Sequence, residues 1–112
     1  MKSSKKLRKK AGALIEKNNH FQLYVVGKTT KKNKQLVGVV DNVLNKRFKG
    51  RFVLEVIDVL EHPEKAARGD IWVTPTWTKK IPPPQTKVVG DFVKAGIAKK
   101  ALEILIRSGN EL

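Results

Sequence analysis

The chain has 112 residues, with 24 Lys and Arg against ten Asp and Glu, a net charge of +14 and no cysteine. That length suits one domain able to bury roughly two thirds of its unfolded surface, and the missing thiols exclude disulfides, thiolate zinc sites and dithiol redox chemistry by this chain alone. No apolar run approaches the ~20 residues of a membrane span, and the basic start lacks the apolar core of a signal peptide, so a cytoplasmic protein is expected.

Six of the 24 basic residues and none of the acidic ones fall in the first ten positions, so a tail carries nearly half the excess charge. Residues 1–20 read as a basic, mobile arm and residues 21–112 as the folded domain. The run FQLYVV, Phe21 to Val26, is uncharged and β-rich and suits a buried strand ended by Gly27. After a short loop, Leu36, Val37, Val40, Val43, Leu44 and Phe48 recur at three- and four-residue spacing, which predicts a helix with one face inward. Asn33 or a threonine before it caps its start, and Gly50 ends it.

The segment FVLEVIDVL, Phe52 to Leu60, is an apolar β-branched run broken only by Glu55 and Asp58. Such continuity predicts a central parallel strand covered on both faces. Pro63 starts a short helical turn that Gly69 closes. Pro75 has no N–H to give a ladder and belongs at a strand start, where a cis Thr74–Pro75 bond fits. Pro82, Pro83 and Pro84 favour extended geometry and predict a stiff connection before strand character resumes at Lys87 to Val89. Asp91 is expected to cap a last helix whose buried stripe is Ile97, Ala98, Ala101, Leu102 and Leu105. The order β-α-β-α-β-β-α is that of a single α/β domain with a compact thioredoxin-like fold.

In that fold a redox enzyme carries its thiols between the first strand and first helix, where this chain reads GKTTKKNK. His20 and His62 stand far apart without a clustered carboxylate set, so neither metal binding nor a triad is expected. Asp58, Glu61 and Glu64 are explained by strand-end solvation and helix N-terminal electrostatics, and no phosphate-binding Gly-Lys-Ser/Thr loop occurs. Neither an enzyme nor a cofactor is expected. Core packing is the default for Trp72 and Trp77, although one of the two is a candidate partner-facing anchor.

From Leu23 to Leu105 the sequence resembles the KaiB family of circadian clock proteins. LYVVGKT, FKGRFVLEVIDVLEHPE, VTPTWTKKIPPP and VVGD carry the resemblance in this order and spacing. It implies a regulator that binds a KaiC-like hexameric ATPase with autokinase activity, and further partners such as a KaiA-like protein or a sensor kinase. It also implies a metamorphic chain, in which a tetrameric KaiB ground fold exchanges with the thioredoxin-like form that binds KaiC. The half beyond Leu60 is the one that rearranges, with Pro63, Pro75, Pro82, Pro83 and Pro84 inside it, and a homo-oligomer, dimer or tetramer, is an option. The chain departs from the family pattern in lacking the proline of Asn-Thr-Pro after the first glycine, and in having Gln85-Thr86-Lys87 for Val-Arg-Arg. In the last helix Ala101 and Glu103 replace glycine and aspartate. Alanine favours a helix over glycine by about 1 kcal/mol, roughly a fivefold shift in a two-state balance, which biases the chain to the thioredoxin-like state.

These readings make the chain a binding module, with Lys79 and Lys87 as charge contacts and Glu64 on the short helix as a third. The alternative is nucleic-acid or anionic-surface binding through the basic arm.

Overall fold

The computed structural model describes residues 19–107. In chain order they form β1 (His20–Val25), α1 (Lys31–Phe48), β2 (Val53–Asp58), α2 (Pro63–Arg68), β3 (Thr76–Ile81), β4 (Thr86–Val89) and α3 (Ala95–Arg107). Residues 1–18 of the predicted arm lie outside the described residues. Asn19 and His20 belong to the fold: the Asn19 carbonyl accepts from Val53 N–H, its side chain donates to Arg51 O, and His20 opens β1.

The sheet order is β2-β1-β3-β4. β1 runs parallel to β2, with Leu23 opposite Val56, and antiparallel to β3, with Leu23 opposite Trp77. β2 is therefore an edge strand and not the central one expected from its apolar run. Its alternation explains why. Leu54 and Val56 join the core beneath the helices, whereas Glu55 faces the other way and pairs with Lys65 of α2. An apolar run reports burial, and an edge strand backed by a helix buries nearly as much as a central one.

α1 starts where Thr30 Oγ1 accepts from the Asn33 N–H (3.1 Å), so the threonine is the cap, while the Asn33 side chain donates to the carbonyls of Val26 and Gly27. At its far end Lys49 adopts the left-handed conformation (φ 52°) and donates its N–H to Asn45 O, one residue before the expected terminator Gly50. In α3 the stripe Ala98, Ala101, Leu102 and Leu105 is buried as expected, but Ile97 is 41% exposed. Asp91 does not cap this helix. Its carboxylate accepts from Val93 N–H in the preceding turn, and the first helical bond runs from Ala98 N–H to Lys94 O.

Both helices cover the face that carries Phe21, Leu23 and Trp77. Trp77 is the centre of an aromatic chain, 6.3 Å from Phe21 and 5.5 Å edge-on from Phe92, and Phe21 continues to Phe48 at 5.7 Å. The Thr74–Pro75 bond is cis, as expected. The triple proline differs from expectation: with cis bonds at Ile81–Pro82 and Pro83–Pro84, it bends within the β3–β4 connection instead of running extended. Among the described residues no helix is long and apolar enough to cross a membrane.

Candidate partner-binding surface

The connection from α2 to β3 begins with a left-handed residue. Asp70 has φ 57°, a conformation that aspartate tolerates better than most residues. This turn is held from two sides. Lys87 of β4 donates its ammonium to the carbonyls of Gly69 (3.2 Å) and Asp70 (2.9 Å), with the Asp70 carboxylate 3.8 Å away. Asp70 Oδ1 in turn accepts from the indole N–H of Trp72 at 2.8 Å. Trp72 is thus 86% exposed and yet fixed, with Val73 beside it also exposed. A large aromatic side chain held in solvent by a hydrogen bond is a candidate anchor for another protein, because the bond already restricts its rotamers.

The three residues singled out from sequence have different fates. Lys87 is at the surface, and it orients the Trp72 turn instead of standing free. Glu64, in the first turn of α2, is exposed and pairs with His62 Nδ1 at 3.4 Å. A hydrogen bond from its own backbone N–H, with His62 adding to it, holds its carboxyl below the usual range. Lys79 is only 2% exposed, on the helix-covered side of β3 near Phe21, Phe48 and Pro82. Burial pushes its ammonium pKa down, and it has no ion pair among the described residues. It is therefore no surface contact in this form. The signal for a charge contact, a basic position shared with the family the sequence resembles, does not reveal which face Lys79 takes when the neighbouring lysine, Lys80, takes the other.

A cavity of about 720 Å³ opens between the end of β1, the start of α1 and the cis-proline turn, lined by Val26, Thr30, Lys32, Pro75, Val89 and Asp91. Outside its lining, the Asp58 carboxylate accepts from the N–H groups of Gly27 (3.0 Å), Lys28 (2.9 Å) and Leu60 (3.0 Å). Those backbone bonds, Lys28 and Gly27 foremost, hold its pKa down. Asp58 is a staple between the β1–α1 and β2–α2 turns, a role that its position at a strand end hinted at only as solvation. No cysteine lines this cavity, and no three His, Cys, Asp or Glu side chains converge among the described residues.

The outer face of the sheet carries a polar network. Gln22 donates to Glu55 (3.1 Å) and accepts from Tyr24 (3.0 Å) and Thr78 (3.3 Å), while Lys65 pairs with Glu55 at 3.2 Å. Burial raises the pKa of the Tyr24 phenol, and Glu55 adds to the rise. Burial also works to raise that of Glu55, but the bonds from Gln22 and Lys65 outweigh it and hold the carboxyl below its ordinary value.

The element order, the cis proline and the cavity beside it define a thioredoxin-like protein without thiols. The N-terminal domain of Synechococcus elongatus SasA superposes with a TM-score of 0.65 at 21% identity, covering 86% of this chain and 90% of that one. The germline-specific thioredoxin Deadhead of Drosophila melanogaster superposes at 0.62 with 15% identity, covering 88% and 90%. More particularly, the chain belongs to the KaiB family: the KaiB domain model matches residues 22–104. It is 40% identical over 80 residues to the circadian clock oscillator protein KaiB of Thermostichus vulcanus, covering 71% of this chain and 73% of that protein. To the KaiB of Trichodesmium erythraeum it is 34% identical over 97 residues, covering 87% and 92%.

Proposed function

We propose that this protein is a non-catalytic regulatory adaptor of the clock type, which docks in its thioredoxin-like form onto a KaiC-like ATPase. The observation that carries the reading is Trp72, an exposed aromatic fixed by Asp70 and Lys87 in the segment between α2 and β3. Membership of a family whose curated relatives are named circadian clock oscillator proteins supplies the regulatory class. Lys87 supplies charge beside this anchor and Glu64 supplies it in the first turn of α2, and the cytoplasm is where such a partner would be met. Ala101, buried against the sheet in α3, favours the form with a C-terminal helix.

Size-exclusion chromatography with a KaiC homologue from the same source tests the proposal. Co-elution in ATP or ADP that Trp72→Ala weakens is the expected result, and separate elution in both nucleotides would sink it. The concentration of basic residues in the first ten positions supports a second reading, contact of the arm with nucleic acid or an anionic surface. Its mark is an affinity that falls steeply with salt and with deletion of residues 1–10.

A further inference from the structure

The outer face of the sheet holds a second pocket, of about 360 Å³, between α2, β3 and the β3–β4 connection. Its floor is the Gln22 network, in which the side-chain carbonyl and amide of Gln22 and the Tyr24 hydroxyl are already bonded. The floor is also tightly fitted: a Cβ on Gly69 would stand 2.8 Å from the Tyr24 hydroxyl oxygen, so a larger residue there would have to displace the Tyr24 side chain. Three cations line the pocket and one carboxylate does. Glu55 is the carboxylate, and it is matched by Lys65. Arg68, from the last turn of α2, and Lys80, from β3, have no hydrogen-bond or ion-pair partner among the described residues. Two cations without a direct hydrogen bond or ion pair thus line one pocket from separate elements, over a polar floor with its own bonds already made; Glu64, one turn before Arg68 in α2, feels the Arg68 charge but does not line the pocket.

We propose that this pocket binds a dianionic phosphate group, free or carried as a monoester, with Arg68 and Lys80 as its charge partners and the Gln85 amide beside them. The charge left after the Glu55–Lys65 pair matches a dianion, and the guanidinium fork of Arg68 suits two phosphate oxygens at once. A carboxylate would neutralise only one of the two cations. The inference is independent of the clock-adaptor reading, because it uses neither Trp72 nor a protein partner.

The test is residue-resolved NMR of the full chain, titrated at constant ionic strength with inorganic phosphate, with O-phosphoserine and with serine. Saturable amide shifts centred on Arg68, Gly69, Lys80 and Gln85 with either phosphate, and none with serine, are expected. Phosphoserine binding more tightly than inorganic phosphate identifies an ester as the ligand, whereas equal affinities identify free phosphate. Arg68→Gln with Lys80→Gln should weaken binding at least tenfold while leaving the thermal midpoint in place. Lys99→Gln with Lys100→Gln, which removes two cations from the exposed side of α3, should leave the affinity unchanged. Shifts spread evenly over the lysines, no saturation, or equal weakening by both double variants would overturn the proposal.

Discussion

On the inner face of the sheet, Phe21, Leu23 and Trp77 meet Leu36, Val40 and Leu44 of α1 and Ala101, Leu102 and Leu105 of α3, and every one of these side chains is buried. On the outer face the alternate residues of the same strands are Gln22, Glu55 and Thr78, joined by hydrogen bonds, and the helix on that side, α2, buries none of its six residues. Strand periodicity places the two sets 180° apart, so one strand supplies cohesion and display together. The difference separates stability from recognition. Substitutions on the inner face, and of Tyr24 and Ile57, which are buried on the outer one, should destabilise the protein, whereas those at exposed outer-face positions and the adjoining turns should leave the fold standing and alter what it holds.

The largest effect belongs to Trp77→Ala, which removes the middle of the aromatic chain. It should cost about 3–5 kcal/mol in urea unfolding, and a loss under 1 kcal/mol would mean that the inner face is not the stabilising one. Asp58→Ala comes next, since it strands three backbone N–H groups, and should lower the thermal midpoint on the order of 10 °C. The sign of its pH dependence follows from its depressed pKa. The Asp58 contribution is complete above the ordinary aspartate value of 3.8 and is lost as pH falls through the lower folded value. Urea midpoints measured between about pH 6 and pH 2 should therefore fall less steeply in the variant than in the wild type.

Ala101→Gly should cost α3 about 1 kcal/mol. If the chain has a second fold without this helix, NMR should show its population rising about fivefold, and unchanged populations would remove Ala101 from any such balance. Smallest in stability is Trp72→Ala, within about 0.5 kcal/mol by thermal melting. Its expected effect on binding to a KaiC homologue is the reverse, a loss of tenfold or more. A Trp72 variant that melts early, or that binds normally, would erase the distinction between the two faces.

Much of this division is legible in the residues. The spacing of Leu36, Val40 and Leu44, the proline at the head of α2 and the cis Thr74–Pro75 turn follow from local rules that the final fold does not overrule. The edge position of β2 was hidden because Phe52 to Leu60 contains enough apolar residues for either placement. The face taken by Lys79 is hidden for a related reason. In Lys79-Lys80 alternation forces one ammonium to each side, and only the register of Trp77 against Leu23 shows that Lys79 takes the helix-covered side. Asp91 looked like a helix cap because aspartate before an apolar stripe usually is one; the turn through Phe92 and Val93 delays α3 to Ala95. The exposed placement of Trp72 depends on contacts 15 residues apart, Lys87 to Trp72 by way of Asp70, which no local pattern encodes.

The two tryptophans also make the molecule its own spectroscopic gauge. Trp77, sealed among phenylalanines, should emit at short wavelength and resist collisional quenchers until the core opens. Trp72, standing in water, should emit further to the red, be quenched freely, and lose that quenching when something settles over it. One fluorescence experiment can therefore register integrity and occupancy separately, without a label being added.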